Sequence, residues 1–158
     1  MSETLDGITI LDLSHGMAGS IATMTLSDFG ATVVKIEPPE GDPYRDSPSS
    51  LLWNRGKKSA VLNILSKEDQ LEFKKLSRST DVLVESNKPG FMDSLGIGYD
   101  DLKKENPALI YCSITGFGLK GPYAMYKDYE GIVQAKSGRL MHFAGLSGRE
   151  GPNFASVN

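Results

Sequence analysis

Little in this sequence invites metal or disulfide chemistry. Its 158 residues hold one cysteine, Cys112, and two widely separated histidines, His15 and His142. A structural zinc site takes about four such ligands at close spacing, so no metal is expected. Cys112 lies in the apolar run ALIYCSI and reads as a small hydrophobe in a buried strand rather than as a reactive thiol. No apolar run approaches the roughly 18 residues of a membrane span. The opening MSETLDGITI also lacks the basic and apolar regions of a secretory signal. The expectation is a cytoplasmic protein without a membrane partner. Positive charge is scarce too: 17 basic against 20 acidic side chains leave a net charge of -3. That offers no pull on a phosphate polyanion, and nucleic acid is not an expected partner.

What remains is the composition of an ordinary globular domain, 39% hydrophobic and 23% charged, long enough to bury a core. Apolar stretches with β-branched residues recur at Ile8 to Leu13, Thr32 to Ile36, Ala60 to Ile64, Val82 to Val84 and Leu109 to Ile114. The segments between them carry helical spacing, which is the rhythm of βαβ units. Met17, Ala18, Ile21, Ala22, Met24, Leu26 and Phe29 predict a helix over about 17 to 29, stopped by Gly30. Ser66 precedes a second helix with Leu71, Phe73 and Leu76 on its apolar face and Asp69 placed for a capping interaction. Short, mostly apolar strands separated by crossovers suit a parallel sheet buried on both faces. The predicted fold is α/β, doubly wound and Rossmann-like, with a mostly parallel sheet and flanking helices. The proline-rich stretch from Glu37 to Ser50 and the segment from Thr115 to about Asp128 read as loops. The aperiodic tail divides the chain into a domain over 1–144 and, over 145–158, the start of a connection.

Four constellations carry possible chemistry. Ser14, His15 and Gly16 end the first strand just before a helix N-terminus, where open α/β sheets bind ligands and where free N–H groups favour an anion. The run from Asn54 to Ser59, with Arg55, Lys57 and Lys58 around Gly56, is either a phosphate site or solvated surface. Gly116, Gly118 and Gly121 match G-x-G-x-x-G, yet they follow the last strand, Pro122 comes next, and no acid-ended strand follows. They read as loop glycines. Lys127, Asp128, Tyr129 and Glu130 precede a helical stretch from Gly131 to Ser137, where the acids are either helix caps or a general acid or base.

In order, the segments LDGITILDLSHGMAG, SDFGATVVKIEPPEGDPYR, NRGKKSAVLNI, DVLVESNKPGFMDSLGIGYDDLKKENPALIYCSITGFG and YEGIVQAKSG resemble the N-terminal part of the class III (family III) CoA-transferases. That family includes formyl-CoA and carnitine CoA-transferases, with α-methylacyl-CoA racemase as a relative. The resemblance covers Leu5 to Gly138. It implies a CoA-transferase that moves CoA between an acyl-CoA and a carboxylic acid through an aspartyl intermediate, the aspartate falling just beyond Asn158, so that these residues alone are inactive. It places CoA against His15, Met17, Ala18, Lys57, Ser86, Asn87, Lys127 and Tyr129, with Glu130 an auxiliary acid near the thioester, and it implies an interlocked homodimer. Pro38 and Ser94 stand where relatives often have arginine, and Tyr129 stands where the racemases have a histidine base. Alternatives at this stage are a CoA-binding module of a two-chain enzyme, an acyl-CoA racemase and, on fold class alone, a nicotinamide-dependent dehydrogenase.

Overall fold

A computed structural model describes residues 3–142. The chain divides into two compact units, the first ending at Ile114 and the second beginning at Thr115. The expected connection over 145–158 lies outside the described residues. The first unit is a five-stranded sheet of β1 (Thr9–Leu13), β2 (Thr32–Glu37), β3 (Lys58–Val61), β4 (Val82–Glu85) and β5 (Ile110–Ser113). Its spatial order is β3-β2-β1-β4-β5, and every ladder is parallel. The chain runs outward from β1 through β2 to β3, then returns to lay β4 on the other side of β1. The switch point therefore falls between β1 and β4, where the crossover helices diverge and leave a crevice at the strand ends.

Alternation along the strands sends side chains into two cores. Leu11, Leu13, Ile36 and Leu83 pack with Phe73, Met92, Ile97 and Leu102 on one face. These partners come from α3 (Lys67–Ser77), α4 (Phe91–Ser94), α5 (Tyr99–Leu102) and the turn between the last two. On the other face Ile10, Val33, Val84 and Ala31 form a second cluster with Leu26, which belongs to α1 (Gly16–Asp28). Helices thus cover both faces, as the doubly wound reading requires.

Several local expectations need correction. The third strand starts at Lys58 and ends at Val61, earlier than its apolar run suggests, because Leu62 and Ile64 turn off the sheet and pack onto the first core. The stretch expected as loop from Glu37 to Ser50 is shorter at both ends: Glu37 closes β2, and α2 (Pro48–Trp53), with proline in its first turn, takes the last three residues. On α3 the buried residues are Gln70, Phe73 and Ser77, whereas Leu71 is 62% and Leu76 41% exposed. Asp69 does not return to Ser66. Its carboxylate accepts the Asn63 N–H at 2.7 Å, so it holds the β3–α3 turn instead. Cys112 is exposed, since among the described residues β5 is paired to β4 alone and buries no residue completely.

The second unit holds α6 (Glu130–Lys136) and α7 (Arg139–His142). Its loop groups Phe117, Tyr123 and Tyr126 in edge-on and tilted ring contacts. The Lys136 ammonium lies 4.3 Å from the centre of the Tyr123 ring. Gly116, Gly118 and Gly121 lie in the loop after β5, and the next helix starts only at Glu130, in keeping with loop glycines rather than a dinucleotide turn.

Because Phe73 is fully buried and Leu71 is not, Phe73→Ala is expected to cost about 3–5 kcal/mol. Leu71→Ala on the same helix should stay within about 0.5 kcal/mol. Urea unfolding of the two variants checks the assigned face of α3.

Candidate active site

The first βα turn is built by small residues and by charge. His15 is the N-cap of α1 in extended conformation, and Gly16 follows with φ 71°, a conformation open to glycine at little cost. One turn on, a Cβ at Gly19 would collide with the Ser14 side chain, so glycine is what lets α1 approach the strand end. Among the described residues the His15 side chain makes no capping bond to α1, and the first turn of the helix holds no acid. Its leading N–H groups are therefore available to an anion. The His15 N–H donates to the Ser86 hydroxyl at 2.8 Å, which stitches the end of β1 to the end of β4 across the switch point. Asn87 follows, its N–H held by the Glu85 carboxylate at 2.7 Å.

Beneath this turn lies a layer of buried charge on the α1 face. Asp12 and Lys35 are register partners on β1 and β2, and both are almost fully buried. The Asp12 carboxylate accepts the Ser14 N–H at 3.0 Å and hydroxyls from Ser14 at 2.5 Å and Thr23 at 2.7 Å. It also pairs with the Lys57 ammonium at 2.9 Å. Lys35 donates to the Ser14 carbonyl at 2.8 Å and pairs with Asp42 at 2.8 Å. Glu37, one alternation further along β2, pairs with Arg45. Three carboxylates thus meet three cations, and the layer is neutral as a whole.

The environment sets protonation. Burial pushes the Asp12 carboxyl upward, but Lys35, Lys57 and the two hydroxyls outweigh it and hold the group below the usual carboxylate range. Asp42 is likewise held low, burial being overcome by Lys35 and the Tyr44 N–H. Burial lowers Lys57, with Asp12 opposing. His15 is lowered by burial and by Lys35, against Asp42 and Asp12. At neutral pH it therefore offers an imidazole with one donor and one acceptor, not a cation.

At the carboxyl end of the first core is a cavity of about 280 Å³ lined by Leu13, His15, Ile36, Leu62, Ile64 and Phe91, with Glu37, Glu40, Asn63 and Asn87 among its polar groups. It is apolar with a few placed polar atoms, the character of a small-molecule site. His15, Ser86 and Asn87 thus come together where the sequence places them. Met17 and Ala18 form the first turn of α1 beside them.

Lys57 does not join the cavity. Its ammonium is turned inward and spent on Asp12, the Ser20 carbonyl at 3.0 Å and the Asn54 amide oxygen at 3.1 Å. Arg55 and Lys58 are the outward cations of that run, Arg55 in a surface pair with Asp28. Lys127, Tyr129 and Glu130 belong to the second unit. There the Lys127 ammonium lies 5.5 Å from the centre of the Tyr129 ring, Tyr129 caps α6, and the Glu130 carboxylate accepts from the Gln134 amide at 2.6 Å. Sequence reasoning missed Asp12, Lys35 and Asp42. Asp12 and Lys35 carried a signal, a charge in the middle of each of two apolar strands; Asp42, in the loop after β2, carried none.

The profile of CoA-transferase family III matches residues 5–157. The chain belongs to that family. It is 46% identical over 145 residues to the acetyl-CoA:oxalate CoA-transferase of Acetobacter aceti, covering 86% of this chain and 37% of that protein. It is 42% identical over 151 residues to the succinyl-CoA:glutarate CoA-transferase of Mus musculus, covering 89% and 34%. The crystal structure of Rv3272 from Mycobacterium tuberculosis matches with a TM-score of 0.90 at 34% identity, over 98% of this chain and 43% of that one. The chain therefore spans little more than a third of the length of these curated relatives.

The Asp12 carboxyl has a lowered folded pKa, so the stability it contributes is present above its unfolded value of 3.8 and is lost as pH falls through the folded value. Asp12→Asn should lower stability at pH 7, and its deficit relative to the parent should shrink between pH 4 and pH 2. Unfolding free energies measured across that range check this. Removing the cation instead strands a buried carboxylate, and Lys57→Met should cost about 3–5 kcal/mol at pH 7.

Proposed function

We propose that this chain forms the CoA-binding portion of a CoA-transferase, which moves CoA from an acyl-CoA to a carboxylic acid. The observation that carries the reading is the cavity at the carboxyl ends of β1, β2 and β3, with His15 and Asn87 in its wall, in a chain of this family. The CoA moiety occupies the crevice at the strand ends. The leading N–H groups of α1, from Gly16 through Met17 and Ala18, face its negative charge, while His15 and Asn87 hydrogen-bond it from the cavity wall. Lys57 serves the site from below, as the counter-ion that keeps Asp12 charged and the turn in place. Lys127 and Tyr129, as CoA contacts, and Glu130, as an auxiliary carboxylate near the thioester, enter this reading by family resemblance alone.

The transfer itself runs through an aspartate placed by family resemblance beyond Asn158. Its carboxylate attacks the thioester carbonyl, the C–S bond breaks, and CoA thiolate leaves as an acyl-aspartyl anhydride forms. The thiolate then attacks the aspartyl carbonyl, releasing the first carboxylate and forming an aspartyl-CoA thioester. The acceptor carboxylate displaces thiolate in its turn, and the thiolate takes the acceptor acyl group, which frees the aspartate. Protons and electrons balance with no further reagent. Tyr129, an exposed phenol at the start of α6, stands where the racemases have a histidine base, which favours transfer over proton abstraction at Cα. A cytoplasmic homodimer is part of the same reading.

Calorimetric titration tests the site. CoA should bind and NAD should not, and His15→Ala should weaken CoA about tenfold, the equivalent of one hydrogen bond of about 1.4 kcal/mol. Equal binding of NAD would sink the assignment. The chemistry is tested by incubating the 158-residue chain with an acyl-CoA and a labelled acceptor acid, then trapping with hydroxylamine. No turnover and no label are expected until the chain is extended through the downstream aspartate. Label on Glu130, or turnover abolished by Glu130→Gln in the short chain, would move the carrier to α6.

A further inference from the structure

The loop between β2 and α2, residues 38–47, is fastened down over the first βα turn. At its base Arg45 pairs with Glu37. In its middle Asp42 accepts the Tyr44 N–H at 2.7 Å with one carboxylate oxygen and the Lys35 ammonium at 2.8 Å with the other. That arrangement sets the Tyr44 ring above Gly16, close enough that a Cβ there would touch the ring at 3.5 Å. The same ammonium of Lys35 donates to the Ser14 carbonyl at 2.8 Å, on the residue before His15. One buried amine, 2% exposed, therefore bonds to both segments at once, the turn and the loop that roofs it, beside the packing of the Tyr44 ring on Gly16.

We propose that Lys35 is the positioning residue of the CoA site, latching the 38–47 loop to the first βα turn so that His15 and the leading N–H groups of α1 are held in one binding-competent arrangement. This rests on the reading of the crevice as the CoA site. A buried ion pair of this kind is a poor way to gain stability, because desolvating two charges costs about what their attraction returns, and an apolar pair of similar volume is often as stable or more so. Its retention in the middle of a β-strand is better accounted for by geometry. An apolar side chain fills the space but donates nothing to the Ser14 carbonyl and nothing to the loop, and CoA binding then has to supply the ordering of both.

The double variant Lys35→Met with Asp42→Leu separates the two roles, since it removes the latch without stranding a charge. In the 158-residue chain its melting temperature should lie within a few degrees of the parent. Amide exchange followed by NMR should accelerate at least tenfold in residues 14–18 and 38–47 and remain unchanged in β4. The CoA dissociation constant should rise at least tenfold. The single variant Lys35→Met is expected to be destabilised as well, through the unpaired Asp42, and the loss of melting temperature alone would report a structural role. Parental CoA affinity or parental exchange in the double variant overturns the proposal. If the parent itself binds no CoA, the reading of the crevice falls, and the exchange rates alone decide whether Lys35 latches the loop. A double variant that does not fold is resolved by the milder Asp42→Asn, in which the same two segments must still exchange faster for the latch to stand.

Discussion

The first βα turn at the carboxyl edge of this sheet depends on the Asp12 carboxylate being charged inside a parallel strand. Isolated, such a group costs several kcal/mol to bury, so its presence obliges the surrounding sequence to answer it. Two hydroxyls, one backbone N–H and the Lys57 ammonium do so. They come from three places: the turn after β1, where Ser14 supplies both its N–H and its hydroxyl, the middle of α1, and the residue before β3. Satisfying one carboxylate therefore fixes the height of α1 above the sheet, the entry of β3 and the path of the backbone at Ser14. The geometry of His15 follows as a consequence.

Charge in this layer is matched locally rather than spread. Asp12 faces Lys57, Lys35 faces Asp42 and Glu37 faces Arg45, in a progression from the fully enclosed to the half-exposed. The outermost pair contributes least to stability because Arg45 stays largely in water. The inner two act on geometry. The cavity on the opposite face of the sheet, by contrast, owes its shape to Leu13, Ile36, Leu62, Ile64 and Phe91, residues that continue the first core to the strand ends. Polar positioning from one face and an apolar wall from the other meet at His15.

How much of this was legible beforehand depended on whether a residue answered to its neighbours in sequence or to distant ones. The strands and α1 were legible because periodicity is local, and the His15 turn because strand ends before helices are places where ligands gather; Ser86 and Asn87 were named only through the family resemblance. On α3 the repeat Leu71, Phe73, Leu76 suggested a face that packing rejected, since burial followed Gln70, Phe73 and Ser77. Cys112 looked buried because its run is apolar, but burial of an edge strand depends on what pairs with it. Lys57 illustrates the limit most clearly. As a member of a basic run it resembled a phosphate ligand, and only the partner 45 residues earlier in the chain turned it inward. Lys35 and Asp12 were conspicuous as lone charges in apolar strands, yet nothing local paired them.

The bond from the His15 N–H to the Ser86 hydroxyl joins positions 71 residues apart. A parallel sheet with its switch point beside the first strand brings these ends together only after the chain has laid down β2, β3 and their crossovers, and long-range closures of this sort make folding slow. The site therefore has no early precursor: half of it is made at the start of the chain and half waits for β4. A nascent chain released before Ser86 has docked would present the bare end of β1 and the uncapped start of α1 to solvent. Ligand captured across that seam would act as a fastener on the last step of assembly, holding the native state by mass action.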